Sequence, residues 1–340
     1  MTSTPSTALA AVIHPPYSPA TIKVESFPIP DLKPTTLLIK THSATLTAGE
    51  LGWFDGMTDP IRPGYEISGT VVKVGTEITR FKEGDKIIAL TNYRGGSLAE
   101  YAVVDDFAAA HVPKYLQKDL SLASTIPMNY LTALQALQSH AQLPTTPKNP
   151  KPTILIHGVS GGVGIYAALL SHHYGLKIIG TASSPSPILK RLGVHVVPHT
   201  YTTSDILPHT SNSQGVDIIL DTVGTPSIIS AGYSVINKSP SNKSHFLTIV
   251  VRGGRNGYLE YKEAVAKQAE ENGVHAELIV VQSDGKQLEE GLPNLEEWMD
   301  VVREGKYDRN FEFGEEGVRE AYETLERRDR KRGKIVVDFQ

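Results

Sequence analysis

The chain has 340 residues, more than one compact core usually holds, so two domains are expected. Hydrophobic residues at 40% and charged residues at 21% are ordinary for a globular protein and exclude a disordered, collagen-like or coiled-coil chain. A net charge of −4 favours neither nucleic acid nor an anionic membrane as a partner, and zero cysteines exclude disulfides, thiol nucleophiles, iron–sulfur clusters and thiolate zinc sites.

No apolar run approaches the roughly 18 residues of a membrane span, and no basic segment precedes the short apolar stretch at the N-terminus. A cytoplasmic protein without a signal peptide is therefore expected. In chain order, the first third reads as short strands broken by turns: Leu37–Thr41, Ile67–Val74 and Lys86–Leu90, with Pro63-Gly64, Gly75 and Gly84-Asp85 between them. Around 121–140 the period becomes helical, through Leu122, Ala123, Ile126, Tyr130, Leu134 and Leu137. Residues 142–152, rich in Pro and Lys, read as a loop.

Six strand candidates then alternate with helix-compatible stretches: Thr153–His157, Lys177–Thr181, Val194–Val197, Val216–Asp221, Ser244–Val250 and Ala276–Val281. That alternation predicts a doubly wound parallel sheet of six strands. Asn237–Ser244 reads as a surface excursion. Helices follow Gln287, and the chain closes on a strand, Lys334–Val337.

His157-Gly158-Val159-Ser160-Gly161-Gly162-Val163-Gly164 joins the first of these six strands to a helix that Gly175 stops. Gly161 and Gly164 supply two of the three glycines of a dinucleotide fingerprint, while Val159 stands at the first position. Ser160, Gly161, Gly162 and Val163 would present the helix N-terminus, with its free N–H groups and favourable dipole, to a pyrophosphate. About twenty residues on, where an acidic side chain would bind the ribose of NAD, stand Ser183 and Ser184, with Lys190 and Arg191 shortly after. Hydroxyls and cations suit a 2′-phosphate, so NADPH is the expected cofactor; a plain Ser-Ser-Pro turn beside solvated cations is the competing reading.

In this order, several pieces resemble the medium-chain dehydrogenase/reductase superfamily, in its zinc-independent quinone oxidoreductase and enoyl reductase-like branch. They are Pro63-Gly64-Tyr65-Glu66 with Gly69 and Val74-Gly75, Phe81–Lys86, Gly95–Tyr101, Leu131-Thr132-Ala133, the glycine turn, Asp221–Gly224 and Arg332–Val336. The resemblance implies an α/β chain with a GroES-like, mostly β catalytic domain over residues 1–122, completed by 285–340. A Rossmann domain over 123–284 is inserted between them.

Where zinc members of that family place ligands, this chain has Tyr65 and the run Thr45-Leu46-Thr47, so no metal is expected. The resemblance implies hydride transfer from NADPH to a small molecule that is already electrophilic, a quinone or an α,β-unsaturated carbonyl. A specialised biosynthetic enoyl reductase and a non-catalytic NADPH-binding protein of the same fold stand as alternatives, and a homodimer is the family-like assembly.

Candidates for orienting the acceptor and stabilising its developing charge are Thr47 and Glu50, Tyr65, Asn129 and Tyr130, with Tyr93-Arg94 a further position. Each has a structural alternative: Tyr65 can pack in a strand turn, Glu50 can be a hydrogen-bonded structural acid, and Tyr93-Arg94 can be a plain loop. For cofactor contact the resemblance adds Thr132 at the interdomain helix and Ile249 and Val250 beneath the nicotinamide. It also adds Tyr201, with the basic run Arg327–Lys334, at the adenine end; a solvated charge run is the alternative for the latter.

Overall fold

The computed structural model describes residues 5–91, 96–141, 151–211, 213–239, 244–249, 254–304, 306–327 and 333–339, with the backbone alone at 254–261, 304 and 306–309. The chain divides into two compact units, one of Met1–Leu131 with Gln282–Gln340 and one of Thr132–Val281.

The first unit opens with β1 (Thr7–Ile13) and β2 (Ile22–Pro28), an antiparallel pair. Next come β3 (Thr36–Leu46), β4 (Glu66–Val74), β5 (Lys86–Leu90), β6 (Tyr101–Asp105) and β7 (Ala109–His111). Strand β3 is eleven residues long and buried at all but two of them, because β4 lies along one side and β6 along part of the other. Leu37, Ile39, Ile67, Val71, Phe81 and Ile87 form the core of this β-rich unit.

The predicted helical stretch around 121–140 is not continuous. Helices Leu120–Ala123 and Pro127–Gln135 are separate, because Pro127 lacks the N–H needed to continue the first and serves as the first residue of the second. A π turn over Ala136–His140 follows.

The second unit contains β8 (Thr153–His157), β9 (Lys177–Thr181), β10 (Val194–Val197), β11 (Ile218–Asp221), β12 (His245–Thr248) and β13 (His275–Leu278). All pair in parallel, in the order β10-β9-β8-β11-β12-β13. Strand β8 is buried along its whole length, as a central parallel strand covered on both faces must be, and its sequence is accordingly apolar but for its ends. Leu155, Ile179, Val197, Tyr201, Ile219 and Phe246 belong to one core cluster. The strand order reverses between β8 and β11, which makes the C-terminal ends of those strands the place where such sheets bind ligands.

From Gln282 the chain is back in the first unit, to which it adds the helix Gly285–Gly291, β14 (Lys306–Glu312) and β15 (Lys334–Asp338). Strand β15 pairs antiparallel with β3 and places Lys334 at its start, beside the end of β3. Among the described residues, no helix is long and apolar enough to cross a membrane.

Candidate active site

In the second unit, the glycine turn stands between β8 and the helix Gly162–His173, at the switch point of the sheet. Its tight bend is made at Gly158, with φ +75°, one residue before the position the fingerprint suggests. A Cβ at Gly158 would meet the Thr222 hydroxyl at 2.8 Å. The Gly158 N–H donates to Thr181 Oγ1 at 2.9 Å and the Val159 N–H to the Thr181 carbonyl at 3.1 Å, which anchors the turn to β9. Val159 is itself buried against Gly180 of β9, where a Cβ would fall 2.6 Å from the valine side chain. The departure at Val159 is thus answered by a glycine on the neighbouring strand.

Gly161 is the helix N-cap, without a side-chain cap, and no acidic residue follows in the first turn. Gly164 allows the close approach: a Cβ there would lie 2.2 Å from the Gly158 carbonyl. Ser160, Gly161, Gly162 and Val163 remain partly or fully exposed around this uncapped helix start, an arrangement that fits the pyrophosphate of a dinucleotide.

At the end of β9, Ser183 and Ser184 are exposed, as are Lys190 and Arg191. Ser186 caps the helix Pro187–Arg191 by accepting the Leu189 N–H at 3.2 Å, and Pro187 occupies its first turn. Pro187 therefore starts the helix, which carries both cations in its last turn.

Tyr201 does not stand free at an adenine site. It is buried among the core residues, and its hydroxyl lies 2.8 Å from His157 Nε2. The other His157 nitrogen is 3.7 Å from the buried Asp221 carboxylate. Burial works to raise the Asp221 pKa, but the neighbouring His157 ring and the N–H groups of Val223 and Gly224, which donate to one carboxylate oxygen, hold it below the usual carboxylate range. These contacts brace the ends of β8 and β11 on either side of the switch point. Ile249 follows β12 half-buried, its N–H donating to the Asp221 carbonyl at 3.1 Å, and Thr132 is buried. Val250, Tyr93-Arg94 and residues 328–332 of the basic run lie outside the described residues.

In the first unit, Tyr65 follows Gly64, whose φ is +89° and where a Cβ would collide with Ser97 Oγ. The Tyr65 carbonyl accepts both the N–H of Thr91 at 2.7 Å and its hydroxyl at 3.0 Å, which fixes the backbone. Trp53 meets the Tyr65 ring edge-on at 5.2 Å and is itself 43% exposed. Tyr65 lines a pocket of about 540 Å³ with Val12, Phe27, Phe54, Met57 and Arg62, within the range of small-molecule sites.

Glu50 faces inward. One carboxylate oxygen accepts the Thr47 N–H at 2.8 Å and the other the hydroxyl of Tyr322, all within the fold. Burial pushes its pKa up to about 7, against the opposing pull of Tyr322, the Thr47 N–H and the Lys334 charge. Thr47, half-buried, donates to Met128 Sδ at 3.3 Å and accepts from Lys334 Nζ at 3.3 Å. Lys334 is also bonded to Glu66, which accepts the Met128 N–H at 2.9 Å. Lys334 is thus buried and ion-paired rather than part of a solvated run.

Asn129 is 5% exposed, and among the described residues its side-chain Nδ2 has no hydrogen-bond partner. Tyr130 is buried with its phenol against Gly291, where a Cβ would have no room. Sequence reasoning missed Tyr322, Arg62 and the pairing of Lys334. Their only sequence signal was position, on an amphipathic helix, in a loop before Pro63 and at the first residue of a strand. Among the described residues, no group of three or more His, Asp or Glu side chains is arranged to hold a metal ion.

Comparison with known proteins matches residues 33–114 to the alcohol dehydrogenase GroES-like domain and residues 162–239 to the zinc-binding dehydrogenase family. The quinone oxidoreductase of Homo sapiens is 29% identical over 268 residues, covering 75% of this chain and 76% of its own. The 2-methylene-furan-3-one reductase of Solanum lycopersicum is 30% identical over 221 residues, 60% of this chain and 54% of that one. The quinone oxidoreductase structure from Coxiella burnetii shares the fold with a TM-score of 0.77 at 23% identity, over 98% of this chain and 100% of that one.

Proposed function

We propose that this chain, which belongs to the medium-chain dehydrogenase/reductase superfamily and to its quinone oxidoreductase branch, is an NADPH-dependent, zinc-independent reductase of quinones or α,β-unsaturated carbonyls. The observation that carries this reading is the uncapped, glycine-built helix start at the switch point of the six-stranded sheet, in a chain without a cysteine.

Bound there, a reduced nicotinamide dinucleotide supplies a hydride to an acceptor whose conjugation already makes it electrophilic. The chain's own residues bind and orient. Ser160, Gly161, Gly162 and Val163 would hold the pyrophosphate through backbone N–H groups, and Ser183, Ser184 and Lys190 would hold the 2′-phosphate. Thr132 and Ile249 would contact the remainder of the cofactor.

On the acceptor side, negative charge develops on oxygen, and it needs donors already in place. The Asn129 amide, with its buried Nδ2 lacking a partner, and the Tyr65 phenol in its pocket are the groups suited to this. Glu50 instead supports Thr47 and Tyr322, and Tyr130 packs on Gly291. A quinone can take its protons from water, so no side-chain acid is required.

The test is oxidation of NADPH and NADH by chelator-treated protein with quinones, enones and enals. Faster loss of NADPH with one acceptor class, unaffected by the chelator, supports the reading. Binding of NADPH with no acceptor consumed favours the non-catalytic alternative.

A further inference from the structure

The Tyr65 pocket contains a cation, Arg62, that forms no ion pair among the described residues. Arg62 lines it together with Val12, Phe27, Phe54, Met57 and Ile61, and among the described residues no carboxylate lies within ion-pair distance of its guanidinium. The guanidinium lies over the Phe27 ring, whose centroid is 5.7 Å from Cζ. Glu25 and His14 also line the pocket, but they are engaged with each other at 3.0 Å.

The backbone around Arg62 is held from both sides. Ile61 exchanges two hydrogen bonds with Ile13 of β1, at 2.8 and 2.9 Å, and the Pro63 carbonyl accepts the Gly96 N–H at 3.1 Å. A half-buried guanidinium stacked on an aromatic wall keeps unused donors in a planar fork, the geometry that suits a carboxylate or sulfonate. The flat, apolar surfaces of Phe27, Phe54 and Tyr65 suit a planar ligand beside it.

We infer that this pocket selects acceptors that combine a planar apolar body with an anionic substituent, the anion being held by Arg62. The inference rests on the reductase reading for its functional meaning, but the binding it describes does not require turnover. Arg62 is a specificity-determining residue, and it takes no part in hydride transfer.

Calorimetric titration with naphthalene-2-sulfonate and its neutral counterpart naphthalene-2-sulfonamide tests the site directly. The sulfonate binds about tenfold more tightly to the unaltered protein, the scale of one charge-assisted hydrogen bond. Arg62→Gln abolishes that preference, and Arg62→Lys retains part of it, with thermal unfolding confirming that both variants fold. Equal binding of the two probes, no binding of either, or a preference that survives in Arg62→Gln overturns the inference.

A kinetic arm compares 1,2-naphthoquinone-4-sulfonate with 1,2-naphthoquinone. The ratio of their kcat/KM values falls about tenfold in Arg62→Gln and not in Arg80→Gln, whose guanidinium pairs with Glu289 on the surface. If neither quinone is reduced while the sulfonate preference holds, the reductase reading fails and the anion site stands.

Discussion

The ammonium of Lys334, at the start of β15, is bonded to the carboxylate of Glu66, at the start of β4, and both groups are buried. Glu66 also accepts the Met128 N–H, so one ion pair ties the closing strand, the sheet and the helix Pro127–Gln135 together. Removing one partner leaves an uncompensated buried charge, which costs about 3–5 kcal/mol. Lys334→Met or Glu66→Gln should therefore lower the unfolding temperature by roughly 10 °C. The paired change Glu66→Leu with Lys334→Met should recover part of that loss. Thermal unfolding checks this, and losses that simply add in the double variant contradict it.

Glu50 makes stability depend on pH. Burial raises its carboxyl from 4.5 to about 7, so between those values the folded protein holds a proton that the unfolded chain has released. Its contribution is complete below about pH 4.5 and declines as pH rises through about 7, by up to roughly 3 kcal/mol. Urea unfolding of the unaltered protein and Glu50→Gln at pH 5 and pH 8 measures this. The stability difference between the two should shift in favour of the variant at the higher pH; a constant difference contradicts the assignment.

Val159 and Gly180 compensate each other across β8 and β9, since a Cβ at Gly180 would fall 2.6 Å from the Val159 side chain. Gly180→Ala should destabilise by about 1–3 kcal/mol through overpacking and weaken NADPH binding by displacing the glycine turn. Adding Val159→Gly, which removes the valine Cβ as well as its methyl groups, should restore most of both. Failure of the double variant to recover either quantity removes the compensation.

The exposed pair Lys190 and Arg191 sits in the last turn of the helix that Pro187 begins. Replacing both with alanine should raise the KM for NADPH about tenfold and leave that for NADH nearly unchanged. A parallel loss for both cofactors would place these residues away from the 2′-phosphate.

Asn129 separates function from stability. Its unpartnered, buried Nδ2 already carries a desolvation cost, so Asn129→Leu should leave unfolding temperature unchanged or raise it. Loss of a donor to the acceptor oxygen should lower kcat about 100-fold. Unchanged turnover, or a large loss of stability, contradicts the role.

The centre of the inserted sheet was legible because β8, β9, β11 and β12 are buried along most of their length and are written as largely apolar runs. All six strand candidates have their counterparts in β8 to β13, with ends differing by a few residues. The β1–β2 pair was not legible: β1 is rich in alanine, β2 mixes charged with apolar residues, and β1 is further bridged to Ala99 and Ile61, far away in the chain. Strand β14 was hidden by its charged residues. The glycine turn was legible as a pattern, but the bend sits at Gly158, because only the backbone shows which glycine takes positive φ. Lys334 looked like the end of a basic run because the charge of a side chain does not reveal that β15 turns it toward Glu66. Tyr201 looked available for a cofactor because its partner, His157, is 44 residues away in the chain.

The central claim is direct hydride delivery to an activated acceptor, and isotope transfer tests it most directly. Turnover of an enone or enal with NADPH carrying deuterium at both C4 positions should give a product with one deuterium at the β-carbon, and the α-hydrogen drawn from solvent. A product without that deuterium while NADPH is consumed, or NADPH that binds yet is oxidised by no acceptor, contradicts the account.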